Sequence, residues 1–135
     1  MKITMTSQYG LISIGYIAMH PQDGNIIAET IAKEYNIPVD YLVKILQHLV
    51  KAGILNSKRG PRGGFTIGRE PEKITLLEIF EAIDGHSMSE HYIAEKTGRE
   101  RFAVNMEKVC DKAIAERNKV LQETTLAELV RNSKK

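Results

Sequence analysis

Between residues 38 and 67 a helical repeat gives way to a strand repeat across a single glycine, and few small folds accommodate that order. Leu42, Ile45, Leu46, Leu49 and Val50 fall on one helical stripe. Pro38 suits a first helical turn, where its missing N–H would have no partner anyway. Gly53 stands where a left-handed residue closes a helix. The opposite face carries Asp40, Tyr41, Lys44, Gln47, His48 and Lys51. Ile54-Leu55-Asn56-Ser57 and Phe65-Thr66-Ile67 then flank a turn of Lys58-Arg59-Gly60-Pro61-Arg62-Gly63-Gly64, the pattern of a hairpin with a basic tip. Upstream, residues 27–35 form a short helical pattern with Ala28, Ile31 and Ala32 on one side, and Asn36-Ile37 gives a tight connection. Helix, tight turn, helix and basic hairpin make a winged helix-turn-helix, whose second helix suits a DNA major groove.

Charge points the same way. Residues 41–69 contain no Asp or Glu and six cations: Lys44, Lys51, Lys58, Arg59, Arg62 and Arg69. The whole chain is only +2, with 19 basic and 17 acidic residues, so the remainder holds 13 basic against 17 acidic and is −4. A solvated surface would scatter both signs; a concentrated field on a nearly neutral protein suits a polyanion, whose condensed counterions are released on contact.

The 135-residue chain as a whole reads as one compact unit with an extension. Residues 7–19 form a mostly apolar helix (Leu11, Ile12, Ile14, Ile17, Ala18), expected to be buried. Thr75-Leu76-Leu77-Glu78 is a capping box opening a helix that stops near Asp84-Gly85. Residues 86–98 are polar and aperiodic, as in a loop. A long helix follows over about 99–123, with Phe102, Met106, Val109, Ala113 and Val120 in steps of three and four, and Cys110, Ile114 and Leu121 beside them. That stripe exceeds what a small winged unit covers, so a second copy is expected against it. A second capping box, Thr125-Leu126-Ala127-Glu128, starts a short final helix. The expected architecture is mainly α with a small β-hairpin wing (α+β): a winged unit over 1–85, a linker or sensor loop over 86–98, and a dimerisation helix with a short last helix over 99–135.

Met1-Lys2-Ile3-Thr4 with Tyr9-Gly10, Tyr41-Leu42, Ala52-Gly53, Arg59-Gly60-Pro61 with Gly63-Gly64-Phe65, and Thr125-Leu126-Ala127-Glu128-Leu129 together resemble the Rrf2 family, over essentially the whole chain. The resemblance implies a dimeric bacterial winged-helix transcription factor, joined through the long helix. It also implies, for the cluster-binding members, an iron–sulfur site of three cysteines between the fourth helix and the long helix. Carried over without gaps, those positions fall on Tyr92, Gly98 and Val104, with a nearby histidine ligand at Glu107. None supplies a thiolate, so no cofactor is expected. In one such member Ser, Glu and Gln stand at Asp40, Val43 and Lys44, so a different operator is expected.

The candidate DNA contacts are Lys2, Ser7 and Tyr9 near the N-terminus, Asp40, Tyr41, Lys44 and His48 on the helix, and Ser57, Lys58, Arg59, Gly60 and Arg62 on the wing. Lys44 can donate to guanine and Asp40 can accept from cytosine. Double-stranded DNA and a second copy are the expected partners, with room for a small-molecule or protein effector near residues 86–107. Other readings stay open. His86, Glu90, His91 and Glu95 could meet a metal, although their spacing fits no strong motif. Cys110 could sense redox state, but on an apolar stripe a thiol is more often a small buried hydrophobe. The scaffold could also act by docking on a partner enzyme. The glycine-rich turn lacks the spacing of either nucleotide-binding loop, and no catalytic triad or carboxylate pair is apparent, so an enzyme is not expected. One cysteine allows no internal disulfide and no apolar run approaches about 18 residues, so a cytoplasmic protein without a membrane segment is expected.

Overall fold

The computed structural model describes residues 2–85 and 92–131, and places one two-stranded hairpin among seven α-helices within those residues. Helix α1, Met5–Met19, starts two residues earlier than its apolar pattern because the Thr4 hydroxyl accepts from the Ser7 N–H at 3.1 Å. Its inner face is built from small residues: Ser7, Gly10 and Ser13 are buried with Ile14 and Ile17. Gly10 permits this approach, since a Cβ there would run into Ile83. Ile12, expected inside, is 38% exposed.

Helix α2, Ala28–Tyr35, ends on Asn36 in the left-handed conformation (φ 55°), one of the few non-glycine types that tolerates it. The chain then turns into α3, Val39–Lys51, whose Leu42, Ile45, Leu46 and Leu49 are at most 2% exposed. Gly53 (φ 77°) closes α3: its N–H reaches Val50 O at 2.9 Å and the Ile54 N–H reaches Leu49 O at 3.0 Å, a Schellman motif. The hairpin follows at once. Strand β1, Leu55–Lys58, pairs antiparallel with β2, Gly64–Ile67, in the register Leu55 to Ile67 and Lys58 to Gly64. Ile26 adds a single bridge on the other side of β2, exchanging both backbone hydrogen bonds with Phe65 at 2.8 and 3.0 Å. Gly64 lies so close to Ile26 that a Cβ would meet its backbone at 2.7 Å.

Helix α4, Leu76–Asp84, opens on the expected capping box with both halves formed: Glu78 N–H to the Thr75 hydroxyl at 3.2 Å, and Thr75 N–H to the Glu78 carboxylate at 3.0 Å. Part of the segment expected to be loop is a single helical turn, α5, Ile93–Lys96, with Ala94 buried against α6. Gly98 and Arg99 then take consecutive left-handed conformations, so the long helix α6, Arg101–Glu123, begins two residues after the expected start. Ala103 and Leu121 are its buried residues. The last helix, α7, Leu126–Arg131, returns to the winged unit. Residues 75 and 125 form a bridge, Leu126 joins the main core, and α7 packs on α1. The Thr125 hydroxyl accepts from the Glu128 N–H at 3.3 Å. Among the described residues no helix is long and apolar enough to cross a membrane.

Candidate nucleic-acid interface

The stripe of α3 faces the core, so its other side is left outward beside the wing. Asp40, Tyr41, Lys44, Gln47, His48 and Lys51 are all exposed there, and Ser57, Lys58, Arg59, Gly60 and Arg62 are exposed on the wing. Gln47, Ser57, Lys58 and Arg59 line one shallow cleft between helix and hairpin, floored by Val50 and Phe65. Asn25 ties the wing loop down, donating to the Arg62 carbonyl at 3.0 Å. Gly60 (φ 101°) and the Gly63 N–H to Gly60 O bond of 2.9 Å fix the tip.

The six cations of the acid-free window divide in the structure. Arg69 lies behind the wing and pairs with Glu78 at 3.0 Å. Burial pushes the Glu78 carboxyl up, and the Thr75 N–H, the Arg69 guanidinium and the Thr75 hydroxyl together outweigh it, holding its pKa below the ordinary value. Among the described residues Lys44, Lys51, Lys58, Arg59 and Arg62 form no ion pair. Five cations of α3 and the wing therefore remain free for a polyanion. Some charges on α3 also have a local role: Asp40 in the first turn and Lys51 in the last complement the helix dipole.

The N-terminal candidates separate. Lys2 is exposed and Tyr9 is half-buried. Ser7, expected among the DNA contacts, is 0% exposed and its hydroxyl donates to Asp84. It presents nothing to a duplex in this structure, because the close approach of α1 to α4 turns it inward. Tyr41 is held by two residues of α1: its hydroxyl pairs with the Thr6 hydroxyl, and its ring meets Tyr9 edge-on, centroids 5.8 Å apart at 84°. The contacts of Thr6 and Asp84 carried no signal in the sequence, since a lone Thr or Asp has no period and their partners lie 35 and 77 or more positions away.

On α6 the stripe is bare. Phe102, Met106, Val109 and Val120 are 53–69% exposed, and Ala113 is exposed with them. Cys110, expected to be a buried hydrophobe, is exposed in the single chain. His86, Glu90 and His91 lie outside the described residues.

The Rrf2 family profile, described as an iron-dependent transcriptional regulator, matches residues 3–132. IscR of Yersinia enterocolitica is 29% identical over 133 residues, covering 98% of this chain and 80% of that one. IscR of Xenorhabdus nematophila is 31% identical over 84 residues, 62% of this chain and 51% of that one. The chain thus spans about half the length of several curated relatives it matches. Among solved structures, CymR, the global cysteine regulator of B. subtilis, superposes with a TM-score of 0.71 at 26% identity, covering 99% of both chains. IscR of T. potens superposes with a TM-score of 0.76 at 25% identity, covering 99% of this chain and 89% of that one.

The residues present do not fit an iron–sulfur cluster. Cys110 is the chain's one thiol, and it sits exposed on the flank of α6. Cys110 lies outside the three positions that the resemblance gives to cluster thiolates, and those hold Tyr92, Gly98 and Val104. No group of three or more His, Cys, Asp or Glu able to hold a metal occurs among the described residues. With the profile matched from residue 3 to 132 and the winged architecture shared throughout, the chain belongs to the Rrf2 family of transcriptional regulators.

Proposed function

We propose that this protein binds duplex DNA in a sequence-specific manner as a homodimer and represses transcription at a pseudo-palindromic operator, without an iron–sulfur cluster. The observation that carries this reading is the set of five unpaired cations on α3 and the wing, all on surfaces that the fold leaves open. Asp40, Tyr41, Lys44 and His48 would meet base edges and backbone in the major groove, with Lys44 suited to guanine and Asp40 to cytosine. Lys58, Arg59 and Arg62 on the wing would engage phosphates, with Arg59 reaching a minor groove. Lys2, ahead of α1, and Tyr9, on it, would contact the backbone. The bare stripe of Phe102, Met106, Val109, Ala113 and Val120 supports pairing of two chains, because an exposed apolar strip of that length is unfavourable in water.

The test is selection of bound sequences from a random duplex pool, then mobility shifts at two salt concentrations. The proposal expects one enriched two-fold motif that differs from the IscR consensus. It also expects binding that weakens steeply with salt, about one logarithmic unit of slope per phosphate neutralised. Absence of binding at low salt would refute it and leave docking on a partner enzyme as the better reading.

A further inference from the structure

Two helices in this fold carry charge patterns that make sense only together. Helix α1 has no acidic residue in its first turn, and α4 ends on Asp84 with no basic residue in its last turn. A carboxylate is poorly placed at a helix C-terminus and well placed at an N-terminus. Asp84 resolves the mismatch across space. The Thr4 hydroxyl lies 3.2 and 3.3 Å from its two carboxylate oxygens and donates there, and the buried Ser7 hydroxyl donates to it as well. Thr4 meanwhile accepts from the Ser7 N–H, so the cap of α1 and the end of α4 are one hydrogen-bonded unit.

Between Thr4 and Ser7 in that same turn stands Thr6, whose hydroxyl pairs with Tyr41 near the start of α3. One turn further along, Tyr9 packs edge-on against the same ring. The first turns of α1 therefore hold the end of α4 on one side and the phenol of Tyr41 on the other. Tyr41 is 41% exposed and would otherwise turn freely about two torsions.

We propose that Asp84 and Thr6 are positioning residues for DNA recognition: Asp84 fixes the first turn of α1 through Thr4 and Ser7, and that turn fixes Tyr41 through Thr6. The inference rests on the DNA-binding reading above and adds to it residues that touch no DNA. Because Asp84 is the last residue of α4, a displacement there reaches Tyr41 through Thr4 and Ser7, the first turn of α1 and Thr6.

The experiment is a double-mutant cycle on a selected operator, read by fluorescence anisotropy and corrected for active fraction. Thr6→Val keeps shape and removes the hydroxyl, and is expected to weaken binding about fivefold to tenfold, the range of one hydrogen bond. Asp84→Ala should weaken it by a similar factor, and Asp84→Asn, which keeps one acceptor oxygen, should recover part of the loss. Neither loss should recur in a Tyr41→Phe background, and the salt slope should stay unchanged because no cation has been removed. A 19F label on the tyrosines reads the position of Tyr41 without DNA, and its resonance should move in Thr6→Val and Asp84→Ala alike. Equal losses with and without the Tyr41 hydroxyl would overturn the proposal, as would unchanged affinity in both variants. If Asp84→Ala does not fold, Thr6→Val still decides the matter. Failure of the wild-type protein to bind any duplex would overturn the DNA reading itself, a different result from wild-type binding that both variants share.

Discussion

Helices α3 and α6 announce themselves in the same way and end in opposite environments. Both show apolar residues at steps of three and four. The stripe of α3 is closed by its own chain, with Leu42, Ile45, Leu46 and Leu49 at most 2% exposed. The stripe of α6 is left open, with Val109 at 69% and Val120 at 63%. Periodicity states that a face is apolar; it does not state what covers it. Charge supplies the complement: the outer face of α3 carries unpaired cations suited to a polyanion, whereas the bare face of α6 suits another apolar surface.

Substitution on the two helices should separate these roles. Val109→Asp should have the largest effect. A carboxylate cannot be buried unpaired in a dimer seam without a large cost. Light scattering should show a monomer, and operator affinity should fall by about 10²–10⁴-fold as the two half-sites lose their linkage. The unfolding midpoint of the winged unit should change little. Leu49→Ala, on the closed stripe, should do the reverse. It should destabilise the fold by about 2–5 kcal/mol in urea titration at every protein concentration, through a cavity the neighbours fill only in part. If Val109→Asp unfolds the chain while Leu49→Ala leaves it intact, the contrast between the helices is wrong.

Smaller effects sharpen the account of the outer face. Arg59→Ala should weaken binding to all duplexes alike and flatten the salt slope by about one unit. An unchanged slope would show that the wing tip does not reach DNA. Arg69, paired behind the wing, gives the matched control: Arg69→Ala should act first on stability against acid. The pKa of Glu78 lies below its ordinary value of 4.5 in the folded state, so its contribution is complete above about pH 4.5 and is lost as pH falls through the lowered value. Acid titrations followed by circular dichroism should show a smaller loss of stability below that pH in Glu78→Gln than in the wild type.

Much of this was legible in the sequence, for physical reasons that also mark its limits. The core face of α3, the left-handed Gly53, the hairpin and the Thr75–Glu78 capping box are encoded within a few residues of one another, where period and cap chemistry act. The contacts between distant segments were not. Ser7 reads as a small polar residue suited to a phosphate, yet Gly10 lets α1 approach α4 so closely that Ser7 is sealed inside. Arg69 reads as one more cation of the basic field until the fold places Glu78 beside it. The turn at 93–96 is too short to show a period, and the return of α7 to α1 depends on a bridge between residues 75 and 125. Tyr41 was legible as an exposed residue of the recognition helix, but its anchoring by Thr6 and Tyr9 was not.

The central claim is that two chains, joined through α6, present two copies of α3 and the wing to one operator. Hydroxyl-radical footprinting on a selected operator tests this most directly. The account predicts two symmetric protected half-sites on one face of the duplex, centred about 10–10.5 base pairs or a multiple apart. Each should have minor-groove protection beside it that disappears with Arg59→Ala. A single unpaired footprint, or protection that survives in a monomeric Val109→Asp protein at the same concentration, would contradict it.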